Sequence, residues 1–152
     1  MMFVTLTGMQ NNEPVPNPKI ESLLIYRAMI VDPTDGKPMV GIRRGMLGVR
    51  PTDPTNTIRG RQFDVPAVVG SDSVSPGRCQ GLSANLAYSN IQAGPKDEIW
   101  QLEIAILARF ELIAEIDPTD SDHIVIAPVA VTTLEVFQNA LQFTRDFWNR
   151  LQ

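Results

Sequence analysis

The amino-acid sequence predicts a single compact α+β domain with a β-rich middle and a helix at its C-terminus. Three observations support this class. An apolar segment at residues 22–31 ends at the turn sequence "DPTDG", and a second apolar run, "HIVIAPV" from His123, is stopped by Pro128. The segment after residue 131 has apolar residues at helical spacing. Strands in the middle of a chain with a helix packed at its end are typical of α+β domains.

Length, composition and charge limit the classes of function. The chain has 152 residues, 43% of them hydrophobic and 20% charged, which fits one globular domain. A net charge of −4 makes nucleic-acid binding unfavourable, although six arginines between residues 41 and 80 leave open a pocket for a phosphate or a dinucleotide. No apolar run approaches the roughly 20 residues that span a bilayer. The N-terminus lacks the pattern of a signal peptide, so we expect a cytoplasmic protein, one delivered to any target cell without a cleaved leader.

The N-terminal part of the chain predicts an arm followed by a strand. Residues 1–19 include "QNNEPVPNP", whose prolines and lack of apolar period predict a flexible arm. Residues 22–31 predict a buried strand with Arg27 at its centre. A buried guanidinium is unfavourable unless it is paired or reaches a cavity. Two interpretations stay open: an ion pair with Glu103 or Glu111, or bidentate binding of a diphosphate.

The middle of the chain predicts a long irregular segment and then short elements. Residues 36–77 are rich in Gly, Pro, Asp, Ser and Thr, which is typical of a surface loop or a functional loop. Gly81 permits a tight turn, and Ser83 is expected to cap a short helix over residues 84–87. For the next segment we expect a strand near 99–105, a bridging turn or helix, and a strand at 111–116.

The C-terminal segment predicts the clearest helix. Thr132 and Glu135 have the spacing of a capping box. Trp148 is compatible with core packing or with an interface, since aromatic side chains bury large areas in either setting. The expected buried stripe consists of Leu134, Phe137, Ala140, Leu141, Phe147 and Leu151.

His123 is the single histidine of the chain and the first candidate for chemistry. It is either a strand-edge residue bonded to backbone or an imidazole at the edge of a pocket. One histidine and one cysteine cannot build a zinc site, and we predict no metal, because the aspartates at 117, 120 and 122 suit an ordinary turn. A Cys–His hydrolase using Cys79 is a further hypothesis, although no motif suggests a third catalytic group.

Three pieces of sequence, in order, carry a family resemblance: "LLIYRAM", "GRCQGLSANLA" and "DHIVIAPVAVTTLEVFQNAL". Together they resemble the type VI-secreted toxin family with a reduced ADP-ribosyltransferase-like fold, and related toxins of bacterial toxin–antitoxin systems. The resemblance extends from Leu23 to Leu141. It implies that residues 20–152 form an ADP-ribosyltransferase-like toxin domain with a split β-sheet core and a C-terminal helix.

The resemblance also implies a site for NAD as substrate. Arg27, preceded by Tyr26, matches the first-strand arginine that faces the NAD phosphate and ribose. Ser83, with Gly81 and Leu82, matches the motif that shapes the nicotinamide pocket.

His123 would occupy the strand-start position at which standard ADP-ribosyltransferases have a catalytic glutamate. No Gln-x-Glu or Glu-x-Glu motif precedes this strand, and the nearest glutamate, Glu115, lies in a separate apolar run. The function implied is that of a bacterial toxin that transfers ADP-ribose or cleaves NAD in the cytoplasm, neutralised by an antitoxin or immunity protein. The alternative is a non-enzymatic binding or structural subunit of a larger assembly.

Overall fold

The computed structural model describes residues 2–4, 23–52, 64–68, 73–78 and 80–151. The strands in these ranges are β1 (Met2–Val4), β2 (Leu24–Ile30), β3 (Pro51–Thr52), β4 (Val65–Val68), β5 (Ser73–Val74), β6 (Leu82–Asn85), β7 (Asp97–Glu103), β8 (Leu112–Asp117), β9 (Asp120–Pro128), β10 (Thr132–Thr133) and β11 (Asn149–Arg150). One α-helix is described, α1 (Leu134–Phe143), together with 3₁₀ helices at Tyr88–Asn90, Ile104–Phe110 and Arg145–Phe147. None of the described helices has the length and apolar character needed to cross a membrane.

Seven strands form one antiparallel sheet in the order β1-β8-β9-β6-β2-β7-β11. Two small pairs accompany it, parallel β3–β4 and antiparallel β5–β10. Helix α1 buries Leu134, Phe137 and Leu141 in the core that the sheet covers. The predicted α+β domain with a C-terminal helix is therefore confirmed.

The alternation of side chains explains which face of the sheet is buried. Ile25 and Met29 of β2 are fully buried, as are Leu82 of β6 and Ile124 and Ile126 of β9. Because successive side chains of a strand point to opposite faces, these residues belong to one core-facing layer. The strand predicted at 22–31 is confirmed over Leu24–Ile30, and the strand predicted at 123–128 is part of β9. The predicted order of strand, short helix and strand between residues 97 and 117 is also confirmed.

Two local predictions are wrong. Ser83 does not cap a helix but lies within β6, because Leu82 and Ala84 alternate into the core and pairing with β9 supplies the backbone partners. The cap of α1 is Thr133, whose hydroxyl accepts a hydrogen bond from Val136 N at 3.1 Å. The predicted capping box of Thr132 and Glu135 is therefore wrong, because the residue three positions after the observed cap is Val136 and not a glutamate.

The C-terminal stripe is confirmed only within the helix. Helix α1 ends at Phe143, so Phe147 lies in a following 3₁₀ turn and, like Leu151, is only partly buried. Trp148 is 4% exposed and donates from Nε1 to Thr144 Oγ1 at 3.0 Å. Core packing is thus the correct interpretation of Trp148.

The expected N-terminal arm lies mostly outside the described residues. Met2–Val4 form β1 and pair with Ala114, Glu115 and Ile116 of β8. These three residues belong to the sheet. Residue 1 and residues 5–19 are not described.

Candidate functional site

A cavity of about 200 Å³ opens where β2 and β6 diverge. These two strands share a single registered pair, Tyr26 with Asn85, whereas β2 and β7 are paired along seven residues. Beyond that pair the backbones separate, and Arg27 and Ser83 both line the space. The structure therefore brings together two of the residues that the sequence singled out.

Arg27 fills the gap between the two strands. Its Nη1 donates to the carbonyl oxygen of Ser83 at 2.8 Å, and its Nη2 donates to that of Met46 at 2.9 Å. Its Nε is buried and has no hydrogen-bond partner in the described part of the chain. Among the described ion pairs none involves Arg27, so the predicted pair with Glu103 or Glu111 is not found there.

Burial lowers the pKa of Arg27 to about 10, and the nearby carboxylate of Asp64 offsets part of that effect. At neutral pH the guanidinium therefore still carries its charge. It does so without direct contact to a carboxylate among the described residues, although each of its terminal nitrogens is held by a main-chain carbonyl.

The other charged residues that line the cavity are paired with each other. Arg50 binds Asp64 through two side-chain hydrogen bonds of 3.1 and 3.0 Å, and the Asp64 carboxylate also accepts from Arg50 N. Arg44 lies 3.5 Å from the carboxylate of Asp97. Three guanidinium groups and two carboxylates thus line the cavity, leaving an excess of one positive charge. Sequence reasoning missed the two aspartates, although the arginine cluster between residues 41 and 80 pointed to this segment.

Gly81, Leu82 and Ser83 have different roles from one another. A Cβ atom at Gly81 would lie 2.1 Å from the carbonyl oxygen of Ile126, so this glycine lets β6 begin in close contact with β9. Leu82 is fully buried in the core. Ser83 alone of the three lines the cavity, and its carbonyl holds Arg27.

A row of polar side chains crosses the sheet beside the cavity. Gln101, Tyr26, Asn85 and His123 follow one another through registered pairs, so their side chains share one face. Tyr26 contacts the exposed ring of Tyr88 edge to face, with 5.4 Å between centroids. This face is opposite to the one from which Arg27 projects, because Tyr26 and Arg27 are consecutive on β2.

His123 does not belong to the described lining of the cavity. It lies inside the sheet rather than at its edge, between β8 and β6, and faces Asn85, which does line the cavity. Its Nδ1 is 3.0 Å from Asp117 Oδ2. His123 is therefore not a strand-edge residue bonded to backbone, since its partner is a side-chain carboxylate. It is also not part of the cavity lining, although its registered neighbour Asn85 is.

The turn between β8 and β9 holds Asp117 firmly. Its Oδ1 accepts from the amide and the hydroxyl of Thr119 at 2.9 and 2.8 Å. These bonds, with a smaller effect of His123, lower the pKa of Asp117 to about 2. Asp120 accepts from the amide of Asp122 at 3.0 Å. Within the described residues no group of three or more His, Cys, Asp or Glu is placed to hold a metal ion.

Glu115 is fully buried on the same face of the sheet as Ser83, with Val125 of β9 between them. Two strand spacings separate the two residues, or about 10 Å. One carboxylate oxygen of Glu115 accepts from Gly77 N, and the other has no partner in the parts of the chain described. Glu115 is not among the described residues that line the cavity. Cys79 lies outside the described residues.

Comparisons with known proteins found no family model, no curated protein and no solved structure that matches this chain.

Proposed function

We propose that the cavity between β2 and β6 binds NAD and that the protein is an ADP-ribosyltransferase-like toxin that transfers ADP-ribose or cleaves NAD. The single observation that supports this most is Arg27, a charged guanidinium on a cavity wall without a carboxylate in contact. A planar guanidinium matches the oxygens of a phosphate group through parallel hydrogen bonds. The diphosphate of NAD supplies the missing anion.

The charge of the cavity supports an anionic ligand. Arg50 and Asp64 neutralise each other, and Arg44 is adjacent to Asp97, so Arg27 supplies the excess positive charge. Because Arg27 is partly buried, its attraction for an anion is weakened less by water than that of a fully exposed arginine. An anion bound there also recovers part of the free energy lost when the guanidinium was removed from water.

The size of the cavity sets how much of the ligand it encloses. Its volume of about 200 Å³ is below the ~300–1,000 Å³ of pockets that enclose a whole drug-sized molecule. It accommodates one part of a dinucleotide, with the remainder along the exposed surface. Tyr26 and Tyr88, on the face next to Asn85, provide aromatic rings for such an extended ligand.

The proposed setting follows from the resemblance in sequence. A toxin that consumes NAD acts in the cytoplasm of the cell that it poisons. An antitoxin or immunity protein would protect the producing cell by covering the cavity. Expression without that partner is expected to arrest growth, and Arg27→Ala or His123→Ala is expected to relieve the arrest. Circular dichroism and thermal unfolding of each variant establish that the loss of toxicity is not a loss of fold.

Protection by NAD against thermal unfolding tests the binding step directly. A ligand at 100 times its Kd that binds only the native state stabilises it by about 2.7 kcal/mol. For a domain of this size each kcal/mol raises Tm by about 2–4 °C, so we expect an increase of about 5–11 °C. Arg27→Lys retains the charge but not the planar fork and should reduce the shift. Arg43→Ala, which removes a charge from an exposed neighbour of the cavity, should leave the shift unchanged.

A binding or structural subunit is the second candidate, and one surface favours it. Val129, Val131, Val136 and Phe143 are all about half exposed or more, beside a shallow groove of about 130 Å³. Exposed apolar side chains in one area are typical of an interaction site. The absence of any thermal shift at saturating NAD would favour this candidate over the toxin.

A further inference from the structure

We propose that Asp117 is a positioning residue that holds His123 as the Nδ1–H tautomer, so that Nε2 is the proton acceptor at the Asn85 edge of the cavity. The proton-acceptor role of His123 rests on the proposed function, whereas its tautomer is a property of the protein without ligand. Three observations carry it: the Nδ1–carboxylate distance, the bonds that hold the carboxylate, and the registered position of His123 beside Asn85.

Both side-chain oxygens of Asp117 are engaged, one by Thr119 and the other by His123. Since the pKa of Asp117 is about 2, the group is ionised near neutral pH and can only accept hydrogen bonds. The contact of 3.0 Å therefore requires the hydrogen atom to be on Nδ1 of His123. In the neutral ring this leaves the lone pair on Nε2.

His123 and Asn85 are registered partners on adjacent antiparallel strands, so their Cβ atoms are about 5 Å apart on the same face. Asn85 lines the cavity, and its amide is held by a hydrogen bond of 3.2 Å to Asp122. The side chain of His123 remains 29% exposed. To reach His123, a ligand held at Arg27 must extend past Asn85 to the opposite face of the sheet, on which Asn85 and His123 are neighbours.

In ADP-ribosyl transfer, an acceptor hydroxyl or water forms a bond from oxygen to C1′ of the nicotinamide ribose. The bond from C1′ to the nicotinamide nitrogen breaks, and nicotinamide leaves with the electron pair. The proton of the acceptor oxygen passes to Nε2 of His123, and the imidazolium is stabilised by the Asp117 carboxylate before it releases the proton to solvent. The neighbouring charged groups are Asp117 on β8 and Asp122 on β9, while β6 contributes the neutral Asn85.

Nitrogen NMR of the imidazole tests the tautomer without any ligand. Because the chain contains one histidine, its ring signals need no assignment. We expect the neutral wild-type ring to be protonated on Nδ1. In Asp117→Asn, the new Oδ1 can keep the bonds from Thr119, which turns the amide NH₂ toward Nδ1 of the ring. Nδ1 must then accept, so the tautomer should invert to Nε2–H. A wild-type ring protonated on Nε2 would overturn the proposal.

Activity measurements test the role in proton transfer. Asp117→Asn should lower the turnover of NAD by about 10²–10⁴-fold, the usual contribution of a general base, while the thermal shift by NAD remains. Asp120→Asn, in the same turn but not bonded to His123, is the matched control and should keep full turnover. Full turnover in a folded Asp117→Asn variant would refute the role of Asp117. If wild type neither binds nor turns over NAD while its ring is protonated on Nδ1, the proposed function and the acceptor role fall, and the tautomer assignment stands.

Discussion

The side chain of Gln138 provides the sharpest test of how the cavity wall is held. This residue of α1 accepts from Val49 N at 3.0 Å through Oε1 and donates to Val49 O at 2.8 Å through Nε2. It thereby imitates a β-strand partner for a fully buried residue of the segment that runs from Met46 to Arg50. That segment supplies Met46 O, which holds Arg27, and Arg50, which lines the cavity. Helix α1 and the cavity are therefore connected through one amide group.

We expect Gln138→Leu to destabilise the protein by about 2–4 kcal/mol. The substitution keeps the volume of the side chain but leaves the amide and the carbonyl of Val49 without their partners. Each buried backbone group that loses its hydrogen bond costs ~1–3 kcal/mol. The matched control is Gln142→Leu, the same change at an exposed position of the same helix, for which we expect a change within about 0.5 kcal/mol. Urea titration of both variants and wild type, with m values compared, measures the difference.

A Gln138→Leu variant that is as stable as Gln142→Leu, with an unchanged m value, would contradict this role of the Gln138 amide. Hydrogen exchange of the Val49 amide gives a second reading. Its protection should fall in the Gln138 variant and remain in the control, since only the first loses the acceptor of that amide.

Three further outcomes are expected. Gly81→Ala should lower the free energy of unfolding by about 1–3 kcal/mol, because its Cβ would lie 2.1 Å from a backbone oxygen of β9. Gly36→Ala is the control: its Cβ would meet no atom within 4 Å, so the substitution should cost only the ~1 kcal/mol of a positive φ. Equilibrium unfolding of the two variants measures the difference. Because the folded pKa of Asp117 is lowered to about 2, its contribution to stability is present above pH 3.8 and is lost as the pH falls toward 2, so Asp117→Asn should flatten the acid limb of a stability–pH profile. Arg145→Met should lower stability and make it less sensitive to salt, because Arg145 binds both oxygens of Asp35 at 2.6 and 2.8 Å; a variant with wild-type Tm at low and high salt would contradict this.

The sequence predicted elements well where the hydrophobic pattern and the tertiary environment agree. The strand around Arg27, the strand that starts near His123 and helix α1 all have apolar positions at the period of their structure. The prediction at Ser83 was wrong because four residues carry too little pattern, and strand pairing on both sides outweighs a capping preference. The pairing of Arg50 with Asp64 and of Arg44 with Asp97 could not be found from the sequence, since residue type alone does not show which arginine an aspartate faces.

Local period and residue type were sufficient to predict the α+β class, and they also identified the unusual arginine on an apolar strand and the single histidine. The surroundings of these two residues became known only from the folded chain. It placed Arg27 against two carbonyls in a cavity rather than against Glu103 or Glu111, and it gave His123 the partner Asp117. The contacts of Arg27 depend on strand order and on the point at which two strands diverge, which are set by the packing of the whole core. The contact of His123 with Asp117 lies within one hairpin, and it depends on the register of that hairpin, which residue type alone does not determine.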